Sequence, residues 1–123
     1  MAFIFSIAPA VDGCSDNPGG TNPETEMLDM NSGSAFVQCC SQDGARCYRK
    51  DNNGACFSGS GLNNDDKKTW YEAYAICISA ADPEDSNLQL RLCNTQDELD
   101  KCCGNGCRYD DILIWTDSTA AGK

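Results

Sequence analysis

The 123-residue chain contains no histidine. That removes the commonest general acid–base group, the usual triad member and the commonest nitrogen ligand for a metal. The sequence also has no Gly-rich phosphate loop, no G-x-S-x-G elbow and no zinc-protease helix. It lacks an N-x-S/T sequon, so conventional N-glycosylation is not expected. No run approaches the roughly 18 apolar residues of a membrane span. Positive charge is scarce: 9 Lys and Arg stand against 19 Asp and Glu, a net charge of −10. Such a surface repels phosphate backbones and anionic lipid headgroups. Together these absences point away from an enzyme, a nucleic-acid partner and a membrane-spanning protein.

What the chain has in abundance is cysteine. Apolar residues make up 41% of it, but ten of them are Cys14, Cys39, Cys40, Cys47, Cys56, Cys77, Cys93, Cys102, Cys103 and Cys107. The supply of aliphatic and aromatic side chains is therefore thin, which is the condition under which small domains recruit disulfides. Zinc is the competing use, but there is no C-x2-C pair, and only Cys103-Gly-Asn-Gly-Cys107 has a knuckle-like spacing. The even count predicts full pairing in an oxidising, extracellular setting: a secreted protein, at a cell surface or in an appendage. Ten cysteines allow about 945 connectivities, so the pairing is not readable. In the adjacent pairs Cys39-Cys40 and Cys102-Cys103 neighbouring side chains point apart, so each member should find a different partner.

Along the chain the pattern divides into 1–11, an apolar strand; 12–33, a polar linker rich in Asn, Pro and Gly; 34–118, the disulfide-rich domain; and 119–123, a tail. Met1–Ala10 has an Ala-Pro-Ala end resembling a signal cleavage site, but no basic n-region and too short an apolar stretch. It is read instead as an ordered strand with Phe3, Phe5 and Ile7 on one face and Ala2, Ile4, Ser6 and Ala8 on the other. Within the domain, Thr69-Trp70-Tyr71-Glu72 is a capping box. It predicts a helix burying Trp70, Ala73, Tyr74, Cys77, Ile78 and Ala81 in one stripe, ended at Asp82-Pro83. A second box, Thr95-Gln96-Asp97-Glu98, opens a short helix with Leu99 facing inward. Strands are expected over 35–39, 88–93 and 111–116, and a polar loop over 51–68. Tyr48, Phe57 and Tyr109, in loops, are expected at the surface, and Trp70 and Trp115 in the core.

The order of these elements resembles the N-terminal half of a C-type-lectin-like domain, in the cysteine-rich form found in extracellular proteins of algae, other protists and marine invertebrates. The residues that carry it are Val37-Gln38-Cys39-Cys40-Ser41-Gln42-Asp43-Gly44, Tyr71-Glu72-Ala73 with Cys77, and Arg91-Leu92-Cys93-Asn94-Thr95-Gln96-Asp97-Glu98-Leu99. Cys102-Cys103-Gly104-Asn105-Gly106-Cys107 and Ile114-Trp115-Thr116 complete it, so that the match covers residues 35–117. The resemblance implies a truncated lectin-like fold. It does not bring sugar binding with it, because the lectin fold's calcium-dependent sugar site uses Glu-Pro-Asn or Gln-Pro-Asp and Trp-Asn-Asp motifs that this sequence lacks. Composition, pattern and resemblance together predict an α+β fold: two short helices on a small, mostly antiparallel sheet, with an extended N-terminal strand.

Candidate functional residues are few. Adjacent carboxylates such as Asp65-Asp66, Asp97-Glu98 and Asp110-Asp111 read as solvated faces or caps in so acidic a chain. Asp51, Asn53, Asp65 and Asp66 supply hard oxygen ligands in loops and make structural calcium the one cofactor with candidate ligands, although neither loop has EF-hand spacing. No catalytic residue is assigned. The remaining feature is the strand Ala2–Val11, whose Phe3, Ile4, Phe5, Ile7 and Val11 must bury themselves somewhere. Docked on its own domain it would complete the sheet; docked on a neighbour's sheet edge, it would make the chain a self-assembling structural subunit, a filament if the contact runs head to tail. The alternative is a lectin-like adhesin that binds extracellular glycans.

Overall fold

The computed structural model describes residues 6–16 and 25–117. It is a small, disulfide-rich α+β structure in which β1 (Ile7–Asp12) lies between β2 (Thr25–Asp29) and β8 (Leu113–Trp115), antiparallel to both. β3 (Cys39–Cys40) pairs with β4 (Cys47–Tyr48) and β7 (Arg91–Leu92) in a second three-stranded sheet. β5 (Ala81–Asp82) and β6 (Asp85–Gln89) form a hairpin. The helices are α1 (Trp70–Ile78) and α2 (Gln96–Asp100), with a 3-10 turn at Asn64–Asp66.

Among the described residues the N-terminal strand runs from Ile7 to Asp12, one residue past its expected end, and it buries the small residues Ala8 and Ala10 completely. Thr25–Asp29, inside the stretch read as a polar linker, is its partner strand: Ile7 faces Asp29 and Val11 faces Thr25. Linker composition misleads here because β2 contributes backbone more than side chains; its residues are exposed or half-buried. The boundaries at 11 and 34 therefore do not separate independent parts among the described residues. Pro9 is tolerated in this central strand because its missing N–H falls where β8 ends. Its carbonyl accepts from the Thr116 N–H (3.1 Å) and hydroxyl (2.9 Å). The Thr116 carbonyl, which a residue other than proline would have supplied with a donor, instead accepts the Trp70 indole N–H at 2.9 Å.

α1 begins as its capping box requires, with the Thr69 hydroxyl accepting from Glu72 N–H and the Glu72 carboxylate accepting from Thr69 N–H. It buries Trp70, Ala73 and Cys77, but Tyr74 and Ile78, expected in that stripe, are 40% and 37% exposed. The helix ends at Ile78, and Ala81-Asp82, expected to close it, is the first strand of the hairpin. The hairpin is held from outside by Arg46, whose guanidinium pairs with both oxygens of the buried Asp82 carboxylate at 2.6 and 2.9 Å. At α2 only half of the predicted box forms. Thr95 caps Glu98 N–H, but the Glu98 carboxylate accepts from Asn94 N–H (2.7 Å) and from both terminal nitrogens of Arg91 (3.0 and 2.9 Å).

These partners, the Arg91 guanidinium first, hold the Glu98 carboxyl below its ordinary pKa, against a smaller opposing effect of burial. The stabilisation from a depressed carboxyl is complete above the ordinary glutamate value and is lost as the pH falls through the depressed one. The gap in Tm between the parent protein and Glu98→Gln should therefore be constant at neutral pH and close progressively in acid. A gap that is the same at neutral and strongly acidic pH would show that the ionised pair does not stabilise the fold.

The cysteines form five bridges: Cys14–Cys103, Cys39–Cys77, Cys40–Cys93, Cys47–Cys102 and Cys56–Cys107. In both adjacent pairs the two members go to different elements. Cys39 ties β3 to α1 while Cys40 ties it to the residue after β7, and Cys102 and Cys103 fasten the end of α2 to β4 and to the segment following β1. Half-cystines are a large part of the core itself: Cys39, Cys40, Cys77, Cys93 and Cys102 are fully buried. The aromatic core is Phe36, Trp70, Trp115 and Tyr109. Tyr109 was expected at the surface, but its hydroxyl is taken inside, donating to the Gly59 carbonyl at 2.8 Å and sharing a hydrogen bond with the Ser58 hydroxyl. Tyr48 and Phe57 are half-buried against the core.

Candidate functional site

Of the residues assigned to assembly, Phe3, Ile4 and Phe5 lie outside the described residues. Ile7 and Val11 belong to β1 and are paired on both sides or on one side within the chain's own sheet. Val11 is also packed with Phe36 and Ile114. The strand's C-terminal end is anchored four ways. Cys14 is bonded to Cys103, Gly13 N–H donates to the Ile112 carbonyl, and Gln96 donates to the Asp12 carbonyl at 2.8 Å. The Ser15 N–H and hydroxyl both donate to the Asp100 carboxylate. Burial works to raise the pKa of Asp100, but the Ser15 and Gln96 donors outweigh it and leave the carboxyl below its ordinary value. The described part of the strand is therefore committed to the chain's own sheet.

The buried Arg49 completes the anchor, and nothing in the sequence pointed to it. Its guanidinium donates to Gln38 Oε1 (2.8 Å), the Gly106 carbonyl (3.1 Å) and the Gly13 carbonyl (3.3 Å) and pairs with Asp110 at 2.6 Å. It also lies over the Tyr109 ring. Burial lowers its pKa, partly countered by Asp110. Gly13 is required there because a Cβ would collide with the Tyr109 carbonyl oxygen and the Gln38 side chain. On the other side of the clamp, Cys107 and Arg108 both adopt left-handed backbone (φ 62° and 63°), an arrangement that costs on the order of 1–3 kcal/mol per residue. The Cys56–Cys107 bridge and the Arg49 contact to Gly106 hold this segment in place. An arginine half of whose partners are backbone carbonyls of distant glycines leaves no spacing to read.

Of the four calcium candidates, Asp51 and Asp66 hold their carboxylates against nearby backbone N–H groups. The Asp51 carboxylate accepts from the N–H groups of Asn53 (2.8 Å) and Ala55 (3.0 Å), closing its own turn. Asp66 accepts from Ser60 N–H at 3.0 Å, and Asp65 donates its N–H to the Asn63 side chain at 3.0 Å. Among the described residues, every group of three metal-ligating atoms within 4.8 Å of one another includes disulfide-bonded cysteines. A cleft of about 440 Å3 lies between Asp12, Glu26, Leu28, Phe36, Lys67 and Asp111, with a mixed polar and apolar lining. No helix among the described residues is long and apolar enough to cross a membrane.

The surface feature with the clearest physical oddity is α1. Its nine residues, Trp-Tyr-Glu-Ala-Tyr-Ala-Ile-Cys-Ile, include a single charge. One face is buried, yet the flank beside it is apolar and exposed: Tyr71 is 47% exposed, and Tyr74 and Ile78 follow it at helical spacing. The Tyr74 ring lies flat on Trp70 (centroids 5.2 Å apart, 13° between planes), and Tyr71 meets the same indole edge-on at 5.3 Å. An exposed apolar stripe of this kind is ordinarily covered by a partner surface. Of six exposed large apolar side chains among the described residues, three stand on this one helix. Sequence periodicity missed the face because it assigned Tyr74 and Ile78 to the core. No protein-family model, curated protein or solved structure matches the chain.

Proposed function

We propose that the protein is an extracellular, non-catalytic structural subunit that associates with copies of itself, its apolar N-terminal run supplying the contact. The observation that carries this reading is the uncovered apolar face of α1 on a chain whose net charge is −10. Acidic surfaces repel one another, so copies can meet stably only where charge is absent. Both α1 and the run Met1–Ala8 meet that condition, with Glu72 the one charged side chain between them. Five disulfides suit an oxidising, extracellular setting, where so small a core needs them. The lectin-like resemblance is part of the same proposal, supported by the order α1, Arg91-Leu92-Cys93, α2 and the core residue Trp115. Sedimentation velocity over a range of concentrations tests the reading: reversible association is expected, and a monomer at every concentration would sink it.

A glycan-binding adhesin is the second reading, favoured by the exposed Tyr74 ring held flat on Trp70, a geometry on which a sugar face can stack. A glycan array with and without EDTA separates the two. Binding to a defined glycan by a chain that does not self-associate would replace the first reading with the second.

A further inference from the structure

β1 and α1 meet at one residue. The Thr116 backbone bonds to Pro9 through its N–H and to Trp70 through its carbonyl, so the N-terminal half of β1 lies one residue across from the aromatic end of α1. The strand is fixed at its other end by Cys14–Cys103, and its upstream end is fixed by Met30 N–H donating to the Ser6 carbonyl at 2.9 Å. Five residues, Met-Ala-Phe-Ile-Phe, precede Ser6. Extended, they reach about 17 Å. The exposed stripe from Tyr71 to Ile78 is about 10 Å long, so the run is long enough to cover all of it.

From this we infer that the outer face of α1, formed by Tyr71, Tyr74 and Ile78, is the acceptor for Phe3-Ile4-Phe5 of a neighbouring copy. The inference rests on the self-association reading and adds the site to it. Charge selects this face over the other exposed strand edges. The outer strand β2 carries Glu26 and Asp29 among its five residues and β6 carries Asp85, whereas the α1 stripe is uncharged. The one nearby carboxylate, Glu72, is engaged by the Thr69 N–H at the helix start. The donor run is uncharged too, so its side chains can leave water against this face without stranding an ion. The flat Tyr74 ring and edge-on Tyr71, both braced on Trp70, offer phenylalanine side chains the stacked and edge contacts that aromatic pairs favour.

The test uses the full chain in four forms: the parent, Tyr74→Ser with Ile78→Ser, Phe3→Ser with Phe5→Ser, and Leu88→Ser. Leu88 is an exposed apolar residue on β6, outside the helix, and serves as the control. All the substituted α1 and β6 positions are at the surface, and circular dichroism with disulfide mapping checks each fold. Sedimentation should show association weakened about tenfold or more in both double variants and unchanged in Leu88→Ser. A photo-crosslinking phenylalanine analogue at position 5, in a mixture of 15N-labelled and unlabelled chains, should link to the α1 peptide of the other isotope. If the parent does not associate, the self-association reading itself fails. If it associates and Tyr74→Ser with Ile78→Ser does not weaken it, that reading stands and the acceptor site is overturned. A crosslink to β2, or to α1 of the same chain, overturns the site or the neighbour respectively.

Discussion

Complete reduction should unfold this protein at room temperature. Each bridge contributes roughly 2–4 kcal/mol, so the five together approach or exceed the roughly 5–15 kcal/mol by which a whole domain is usually stable. Little else takes their place. The elements are short, with three two-residue strands in the second sheet and a five-residue second helix, and several of the fully buried core positions are half-cystines. Losing the bridges removes core packing as well as chain constraint. After reduction and alkylation, the near-ultraviolet dichroism of Trp70 and Trp115 should vanish and the amide resonances should collapse toward random-coil shifts. Retained dispersion would mean that the two sheets and α1 hold together without their staples.

Arg49→Met should be the most damaging conservative-volume replacement outside the cysteines. Arg49 is fully buried with an ion pair to Asp110, and breaking such a pair by removing one partner costs about 3–5 kcal/mol. The loss reaches further than the ion pair. The carbonyls of Gly13 and Gly106 and the Gln38 side chain lose a donor at once, and the left-handed Cys107-Arg108 segment loses its brace. Asp110→Asn, which keeps an acceptor at a partly exposed position, should cost clearly less. Thermal unfolding of the two variants beside the parent checks this. Equal losses would mean that the charge pair, not the carbonyl clamp, is the main contribution.

What could be read from the residues alone was local. The Thr69 box set the start of α1, because both of its hydrogen bonds are made within four residues. The divergence of Cys39 and Cys40 followed from strand geometry, although their partners did not; Cys102 and Cys103 diverge in the turn after α2 instead. What escaped were features whose cause lies far along the chain. Thr-Glu-Met-Leu-Asp becomes a strand because β1 presents an edge to it, not because of its own pattern. Tyr109 looked like a loop aromatic and is buried because Ser58 and Gly59, some fifty residues away, receive its hydroxyl. The end of α1 was placed too late because Ala81 and Asp82 were weighed as helix residues, while Arg46 draws Asp82 into a hairpin. The candidate site was half legible. The apolar run ahead of β1 stands out by composition, but the α1 face did not, since Tyr74 and Ile78 fit a buried stripe equally well.

Pro9 also decides which alignment of strands can exist. β1 is built from small, similar residues, Ala8 and Ala10 on its buried face, and such a strand has little in its side chains to prefer one alignment with β8 over another. A shift by two residues keeps the same face inward and would normally be the nearest competitor. Here it would bring Pro9 opposite Ile114, leaving the carbonyl of a fully buried residue without its strand donor, and it would carry Cys14 about 6–7 Å along the strand from Cys103. One residue without an N–H and one sulfur pair thus reject the misaligned sheet from opposite ends of the strand. During oxidative folding, the Cys14–Cys103 bridge should close late, reporting that β1 has found its place.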